Sequence, residues 1–128
     1  MRLLLDTCTF LWLATGDVAL SSGARASIAE PLNDVYLSSI SAWEVAIKYQ
    51  LGRLPLPVPP ERYVPERRVA LHLEELEFDE AAACHTHLLP QLHRDPFDRA
   101  LVAQAIVQGL TLLTPDPAIR RYPVPTLW

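Results

Sequence analysis

Short apolar runs alternate with segments of helical periodicity along the chain. The first run, residues 2–5, ends at Asp6 and is typical of a buried strand. Further strands are predicted at residues 35–38, 73–78, 110–114 and 124–128. Helices are predicted between them at residues 7–14, 22–30, 41–50, 79–89 and 96–108. The proline-rich segment 55–65 is expected to be a connector that leads into a short helix.

This order of elements predicts the fold class. Strands that alternate with helices form a parallel sheet covered on both faces, so we expect a three-layer α/β/α sandwich with a mostly parallel sheet. The helix at 96–108 is predicted to be strongly amphipathic, with one apolar face. That face comprises Phe97, Leu101, Val102, Ala105 and Ile106. The 128 residues fit a single domain spanning 1–128.

Composition and charge narrow the picture. Hydrophobic residues make up 50% of the chain, which is enough for a core and suggests that a partner covers some apolar surface. The net charge of −4 argues against binding nucleic acid through a basic surface alone. Cys8 and Cys84 have no zinc-site spacing, and no signal peptide or membrane-spanning run is evident. We therefore expect reduced, buried thiols and a cytoplasmic location.

Acidic residues recur where predicted strands end and predicted helices begin. Asp6 ends the first strand, and Asp116 follows the strand at 110–114. Glu44 and Asp98 are each expected in the first turn of a helix. Because ligand sites of parallel sheets form beyond the carboxyl ends of the strands, we expect these carboxylates to gather at one edge. Such a cluster repels itself unless a cation lies within it, and Mg²⁺ prefers oxygen ligands.

Each acid also has a purely structural explanation. Ser41 and Glu44 have the spacing of a capping box, in which Glu44 would accept from the Ser41 amide. Asp95 precedes Pro96 as a helix N-cap would, and Asp116 before a proline could be the same device. Asp6 could cap the helix that it precedes. For each acid taken singly, both explanations remain open.

Four segments together resemble the successive motifs of the PIN family. They are LLLDTCTFLWL at 3–13, SISAWEVAIK at 39–48, HRDPFDRALVAQA at 93–105 and LLTPDPAI at 112–119. They are most similar to the VapC-like branch that carries an H-R-D-P-F-D segment. The order and spacing of the motifs match over nearly the whole chain, and the HRDPFDR segment is the most specific of them.

The resemblance implies a metal-dependent endoribonuclease, the toxin of a type II toxin–antitoxin pair. It places Asp6, Glu44, Asp98 and Asp116 in the site as catalytic and metal-binding residues, with Asp95 as a candidate fifth member. The implied cofactor is Mg²⁺ or Mn²⁺. The implied partners are an RNA substrate and an antitoxin protein that blocks the acidic cleft. A homodimer is also expected, because Phe10, Trp12 and Leu13 are candidates for exposed apolar surface.

Neighbouring residues have secondary roles to test. Thr7 and Thr114 could bond a carboxylate or a metal-bound water, or be structural. Cys8 as a nucleophile and His85 with His87 as a zinc site are both disfavoured. His93 could contact phosphate or lie in a solvated loop, and Trp43 could stack a base but has the spacing of a core residue. Candidate cations of an RNA groove are Lys48, Arg94, Arg99, Arg120 and Arg121.

Other functions share parts of this pattern. A signalling receiver domain would need an acidic pair after the first strand and a lysine after a late strand, neither of which is present. A PIN-like binding module without activity is disfavoured by the complete set of acids. A Mg²⁺-dependent DNA nuclease or phosphatase could use the same site, and only the family resemblance favours RNA.

Overall fold

A parallel five-stranded sheet forms the centre of the computed structural model, which describes residues 1–128. Its strands are β1 (Arg2–Leu5), β2 (Asp34–Ser38), β3 (Glu74–Leu76), β4 (Thr111–Leu113) and β5 (Thr126–Leu127). They lie in the order β3-β2-β1-β4-β5, and every pairing is parallel. β1 is therefore the middle strand, and the carboxyl ends of all strands point to one edge.

Seven α-helices cover the two faces of the sheet. They are α1 (Thr7–Thr15), α2 (Ser22–Ala29), α3 (Ser39–Gln50), α4 (Pro60–Ala70), α5 (Glu80–His85), α6 (Pro96–Gln108) and α7 (Pro117–Arg120). A 3₁₀ turn at Thr86–Leu88 follows α5. None of the helices combines the length and the apolar character needed to cross a bilayer.

The core lies in two layers, one on each side of β1. Leu3 and Leu5 pack into one cluster with α1, α2 and α4, whereas Leu4 packs into the other with α6 and α7. This alternation follows from the pleat, since successive side chains of a strand point to opposite faces. Complete burial of a leucine side chain contributes about 1.5–3 kcal/mol. The predicted three-layer α/β/α sandwich is confirmed, and the sheet is wholly parallel.

Helix α6 differs from its prediction. Every residue from Ala100 to Ala105 is buried, so this helix is enclosed on most of its circumference and the predicted strong amphipathicity is wrong. The reason is that α6 packs against the sheet and is also flanked by α3 and α5. The neighbouring helix was predicted too long: α5 ends at His85, and the chain tightens into a 3₁₀ turn.

Two local predictions near the site also change. Helix α3 begins at Ser39 rather than Ser41, because the Ser38 side chain caps it by accepting from the Ile40 amide. Glu44 therefore lies in the second turn, and the capping-box interpretation is wrong. Phe10 was a candidate for exposed surface, but it is completely buried in the α1 side of the core.

Candidate functional site

A cavity of about 350 Å³ opens beyond the carboxyl ends of β1 and β4 and is walled by acids. Its carboxylates are the five predicted ones: Asp6, Glu44, Asp95, Asp98 and Asp116. The rest of the wall consists of Thr7, Cys8, Trp12, Lys48, Pro115 and Pro117. Residues from both ends of the chain thus meet at the sheet edge where the order of the strands reverses direction, the position expected for a site in this class of fold.

Asp6 is, with Glu44, one of the two buried acids of the five, and Thr114 fixes its position. Leu5 pairs with Leu113 in the sheet, so Asp6 and Thr114 leave neighbouring strands side by side. The Thr114 hydroxyl donates to Asp6 Oδ2 at 2.6 Å, and the Thr9 amide donates to Oδ1 at 2.8 Å. Burial raises the pKa of Asp6 against the effect of these hydrogen bonds, and the charge of Asp116 adds to the rise.

Asp116 is joined to Asp6 through the same threonine. Its backbone amide donates to Thr114 Oγ1 at 3.1 Å, while the Thr114 hydrogen is directed at Asp6. Asp116 Oδ1 accepts from the Ala118 amide at 2.8 Å and so caps α7. The expectation that Thr114 bonds a carboxylate is confirmed. Thr7 instead donates to Ser41 Oγ at 3.0 Å, which supports its structural interpretation.

Glu44 enters the cavity from the second turn of α3 with one oxygen left without a partner. Its Oε2 accepts from Lys48 Nζ, one helical turn further along. Its Oε1 is buried and has no hydrogen-bond partner. A buried polar atom left unpaired costs about 1–3 kcal/mol, and more if it is charged. The position of this oxygen on a cavity wall therefore indicates a group that the cavity would hold.

Asp95 and Asp98 come from the start of α6. Asp95 Oδ1 accepts from the amides of Phe97 and Asp98 at 2.9 and 3.1 Å, so the predicted N-cap is confirmed. The pKa of Asp98 is raised to about 6, first by burial and then by the charge of Asp95, with smaller contributions from Asp116 and Glu44. A hydrogen bond from His93 acts in the opposite direction. The ionised form of Asp98 is thus disfavoured by burial and by three neighbouring carboxylates.

The donor set fits a hard divalent cation, although its members are not gathered into a finished cluster. No three His, Cys, Asp or Glu side chains have the spacing of a formed metal site. The acids line a cavity, and Asp6, Asp95 and Asp116 each use one oxygen as a helix cap. The donors are nevertheless all carboxylates, neighbouring carboxylates raise the pKa values of Asp6 and Asp98, and Glu44 Oε1 lacks a partner. A cation between them would relieve both conditions.

The cations predicted for a substrate groove are mostly not at the cavity. Lys48 lines it, but Arg94, Arg120 and Arg121 are exposed residues outside its wall. Arg99 is tied to the protein by hydrogen bonds to Thr86, Pro90 and Tyr122. Arg99 does not line the cavity either, so a role for it in a substrate groove stays a prediction.

Further residues depart from the sequence expectations or were missed by them. His93 is neither solvated nor aimed at solvent, since its two ring nitrogens contact Tyr122 and Asp98. Trp43 is 57% exposed and meets Phe97 edge-on, so its core interpretation is wrong. Cys8 and Cys84 are both exposed residues, so the expectation of buried thiols is wrong. Partial burial of the Cys8 thiol and the charge of Asp6 raise its pKa to about 11, which opposes a thiolate nucleophile, as expected. The position of Trp12 on the cavity wall was missed because the sequence indicated it for a dimer surface, and Tyr122 was missed because no motif includes it.

Comparisons with known proteins show similarity to PIN-domain proteins and to two proteins named as ribonucleases. The family model described as PIN domain matches residues 3–125. Ribonuclease VapC22 of Mycobacterium tuberculosis is 30% identical over 129 aligned positions, covering 98% of this chain and 97% of that protein. Ribonuclease VapC16 of the same organism is 38% identical over 78 residues, and that match spans 55% of each protein.

Solved structures agree on the fold. The crystal structure of VapBC2 from Rickettsia felis, bound to a promoter DNA fragment, has a chain that aligns with a TM-score of 0.73 at 18% identity. That alignment covers 99% of this chain and 98% of the other. The DNA-bound VapBC structure from Salmonella typhimurium gives a TM-score of 0.70 at 22% identity, with coverage of 99% and 97%. At these identities the likeness concerns the fold alone.

Proposed function

Because this chain belongs to the PIN domain family, we propose that it is a metal-dependent endoribonuclease and the toxin of a toxin–antitoxin pair. Two relatives that match it are named ribonucleases, and one of them is covered over nearly its whole length. The observation that carries the proposal is the acidic cavity, in which a buried oxygen of Glu44 has no partner within the protein.

In this proposal, Asp6, Glu44, Asp98 and Asp116 hold Mg²⁺ or Mn²⁺, with Asp95 at the margin. The bound cation would supply an acidified water and charge stabilisation for in-line displacement at a phosphodiester. The capping contacts fix one oxygen of Asp6 and Asp116 and leave the carboxylate orientation determined by the backbone. Holding one oxygen of each carboxylate in this way reduces the side-chain freedom that would be lost when the cation binds.

The remaining wall residues assist the same acids. Thr114 holds Asp6 and Asp116 in register, because it accepts from one residue and donates to the other. Lys48 brings positive charge to the mouth of the cavity and partly offsets the acids that would repel a phosphate. Trp12, supported edge-on by Trp128 at 5.9 Å between ring centroids, gives the cavity an apolar wall on the α1 side.

The direct test is cleavage of defined nucleic acids. Purified protein should cut single-stranded or structured RNA with Mg²⁺ or Mn²⁺ and lose this activity in EDTA, while DNA of the same sequence stays intact. Cleavage that persists in EDTA would exclude the metal mechanism. Cleavage of the DNA but not of the RNA would support the alternative function, a metal-dependent DNA nuclease.

A matched pair of variants isolates the acid from its capping role. Asp116→Asn keeps a good N-cap but removes a charge from the cavity, so cleavage should fall by about 10²–10⁴-fold while the melting temperature is nearly unchanged. Asp79 lies outside the cavity and caps α5 by accepting from the Ala82 amide. Asp79→Asn is therefore the control and should cleave normally. Equal activities of the two variants would remove Asp116 from the site.

A further inference from the structure

A chain of hydrogen bonds leads from α6 to one of the cavity acids through residues outside the cavity wall. Arg99 Nη1 lies 2.9 Å from Tyr122 Oη, which lies 2.7 Å from His93 Nδ1. The other ring nitrogen, His93 Nε2, lies 3.2 Å from Asp98 Oδ2. Tyr122 is 3% exposed, so its hydroxyl has little access to water as an alternative partner.

The direction of every bond in this chain follows from its first member. A guanidinium carries only donors, and Arg99 is also anchored by the carbonyl oxygens of Pro90 and Thr86 at 2.8 and 3.2 Å. Tyr122 Oη therefore accepts from Arg99 and directs its single hydrogen at His93 Nδ1. With Nδ1 as an acceptor, the proton of the neutral imidazole belongs on Nε2, where it points at the Asp98 carboxylate.

The opposite tautomer, with the proton on His93 Nδ1, leaves unsatisfied groups at both Tyr122 and Asp98. If Nδ1 carried the proton, Tyr122 Oη would receive two hydrogens and its own would have no acceptor within the chain. Nε2 would then face Asp98 Oδ2 with a lone pair, so that two acceptors met at 3.2 Å. Only one direction satisfies all groups, and buried polar groups are almost always satisfied.

We propose that Arg99, Tyr122 and His93 form a one-way relay that locks the His93 ring as the Nε2–H tautomer and thereby positions Asp98 for its ligand. His93, Tyr122 and Arg99 are positioning residues, since none of them lines the cavity. The relay fixes Asp98 Oδ2 on one side, while its own backbone amide is held by Asp95. The role assigned to Asp98 rests on the proposed function, whereas the tautomer does not.

The tautomer can be read directly. Long-range ¹H–¹⁵N spectra of histidine-labelled wild-type protein, assigned through the backbone, distinguish the two neutral tautomers and the imidazolium. At about pH 8, His93 should be purely the Nε2–H form, whereas exposed His87 should show a mixture of both neutral tautomers. Tyr122→Phe should return His93 towards the mixture. An Nδ1–H form or an imidazolium in the wild type would overturn the relay.

The positioning role is tested by rescue. The amide nitrogen of glutamine can occupy the place of Nε2, while that of asparagine corresponds to Nδ1. His93→Asn should weaken Mn²⁺ binding about tenfold, and His93→Gln should restore most of the affinity. Binding is measured from the electron paramagnetic resonance signal of free Mn²⁺. His87→Asn is the matched control and should bind normally. Equal Mn²⁺ affinity in the asparagine and glutamine variants would overturn the positioning role.

The two proposals fail in different ways. If Asp98→Asn leaves Mn²⁺ binding unchanged, Asp98 is not a ligand and the assignment of the metal site is wrong at this residue. The wild-type tautomer would still show whether the relay exists. A relay without effect on Mn²⁺ would make Tyr122 and His93 purely structural.

Discussion

At the scale of single residues, the acids of the cavity serve folding and chemistry through different oxygens. Asp6 and Asp116 each give one oxygen to a backbone amide at the start of a helix. Capping of this kind stabilises a helix by about 1 kcal/mol, which offsets part of the repulsion between neighbouring carboxylates. Asp98 has no capping contact. Its burial and the charges of the neighbouring acids raise its pKa to about 6.

The metal-free protein should therefore gain stability when Asp98 loses its charge. The folded state binds a proton at Asp98 near pH 6, while the unfolded chain does so near 3.8. The ionised carboxylate thus destabilises the fold above pH 6, and the penalty disappears as the pH falls towards 3.8. In EDTA at about pH 7.5, Asp98→Asn should raise the free energy of unfolding by about 1 kcal/mol after allowance for solvent exposure, or Tm by about 3–5 °C.

The control is Glu80→Gln, which neutralises an exposed acid in the first turn of α5. It should leave Tm unchanged or lower it slightly, because it removes a favourable interaction with the helix dipole. Thermal denaturation of both variants at about pH 4 should show no advantage for Asp98→Asn, since the wild-type carboxyl is then largely protonated. A stabilisation that persists undiminished at this pH would contradict the electrostatic cause.

At the scale of elements, the start of α3 decides what Glu44 does. Ser38 caps the helix through the Ile40 amide, so Glu44 is not needed at the N-terminus. From the second turn, its side chain reaches the cavity and pairs with Lys48. Most of its surface is buried, and an acid placed there for helix stability alone would be costly.

Glu44→Gln should accordingly abolish most cleavage without melting α3. Glutamine keeps the size and hydrogen-bonding capacity of the side chain but removes the charge, so helicity measured by circular dichroism should be unchanged while cleavage falls by at least about tenfold. Glu66→Gln is the control, because Glu66 forms an ion pair of the same spacing with Arg62, and both side chains are on the exposed face of α4. Full activity in Glu44→Gln, or an equal loss in Glu66→Gln, would exclude a special role for Glu44.

At the scale of the whole molecule, apolar side chains remain on the surface although both core layers are filled. The most exposed are Val18, Leu32, Val69, Leu88, Met1, Leu51 and Trp43. Trp12 and Leu13, named from the sequence as interface candidates, are partly buried and pack on the core. The most exposed apolar side chains are therefore not the three that the sequence indicated.

The proposed toxin should be a homodimer in solution and should stop growth when it is expressed without its antitoxin. Light scattering checks the oligomeric state, and a monodisperse monomer would exclude the dimer.

Toxicity is checked by comparing the growth of cells that express the wild type with that of cells that express Asp6→Asn at equal protein levels. Asn at this position keeps the cap of α1 but removes a cavity charge, so only the wild type should be toxic. Unaffected growth would remove the toxin assignment and leave the nuclease proposal intact.

The sequence by itself determined the alternation of strands and helices, the sandwich and the acids that would meet, whereas α7 was not predicted. Apolar periodicity is a local property, and a wholly parallel sheet requires helical crossovers, so β1 and α6 could be placed without any knowledge of contacts. The carboxylates could be located because each follows a strand or lies near the start of a helix. Their metal-binding role stays a proposal that the family resemblance supports.

Only the tertiary structure decided how each acid is held and what surrounds it. The register of β1 against β4 brings Thr114 beside Asp6, although the two residues are far apart in the chain. Packing of α6 among its neighbours turns Arg99 inward and brings Tyr122 and His93 into line with Asp98. Such contacts depend on register and on the rotation of whole helices, which a pattern of apolar and polar positions does not fix.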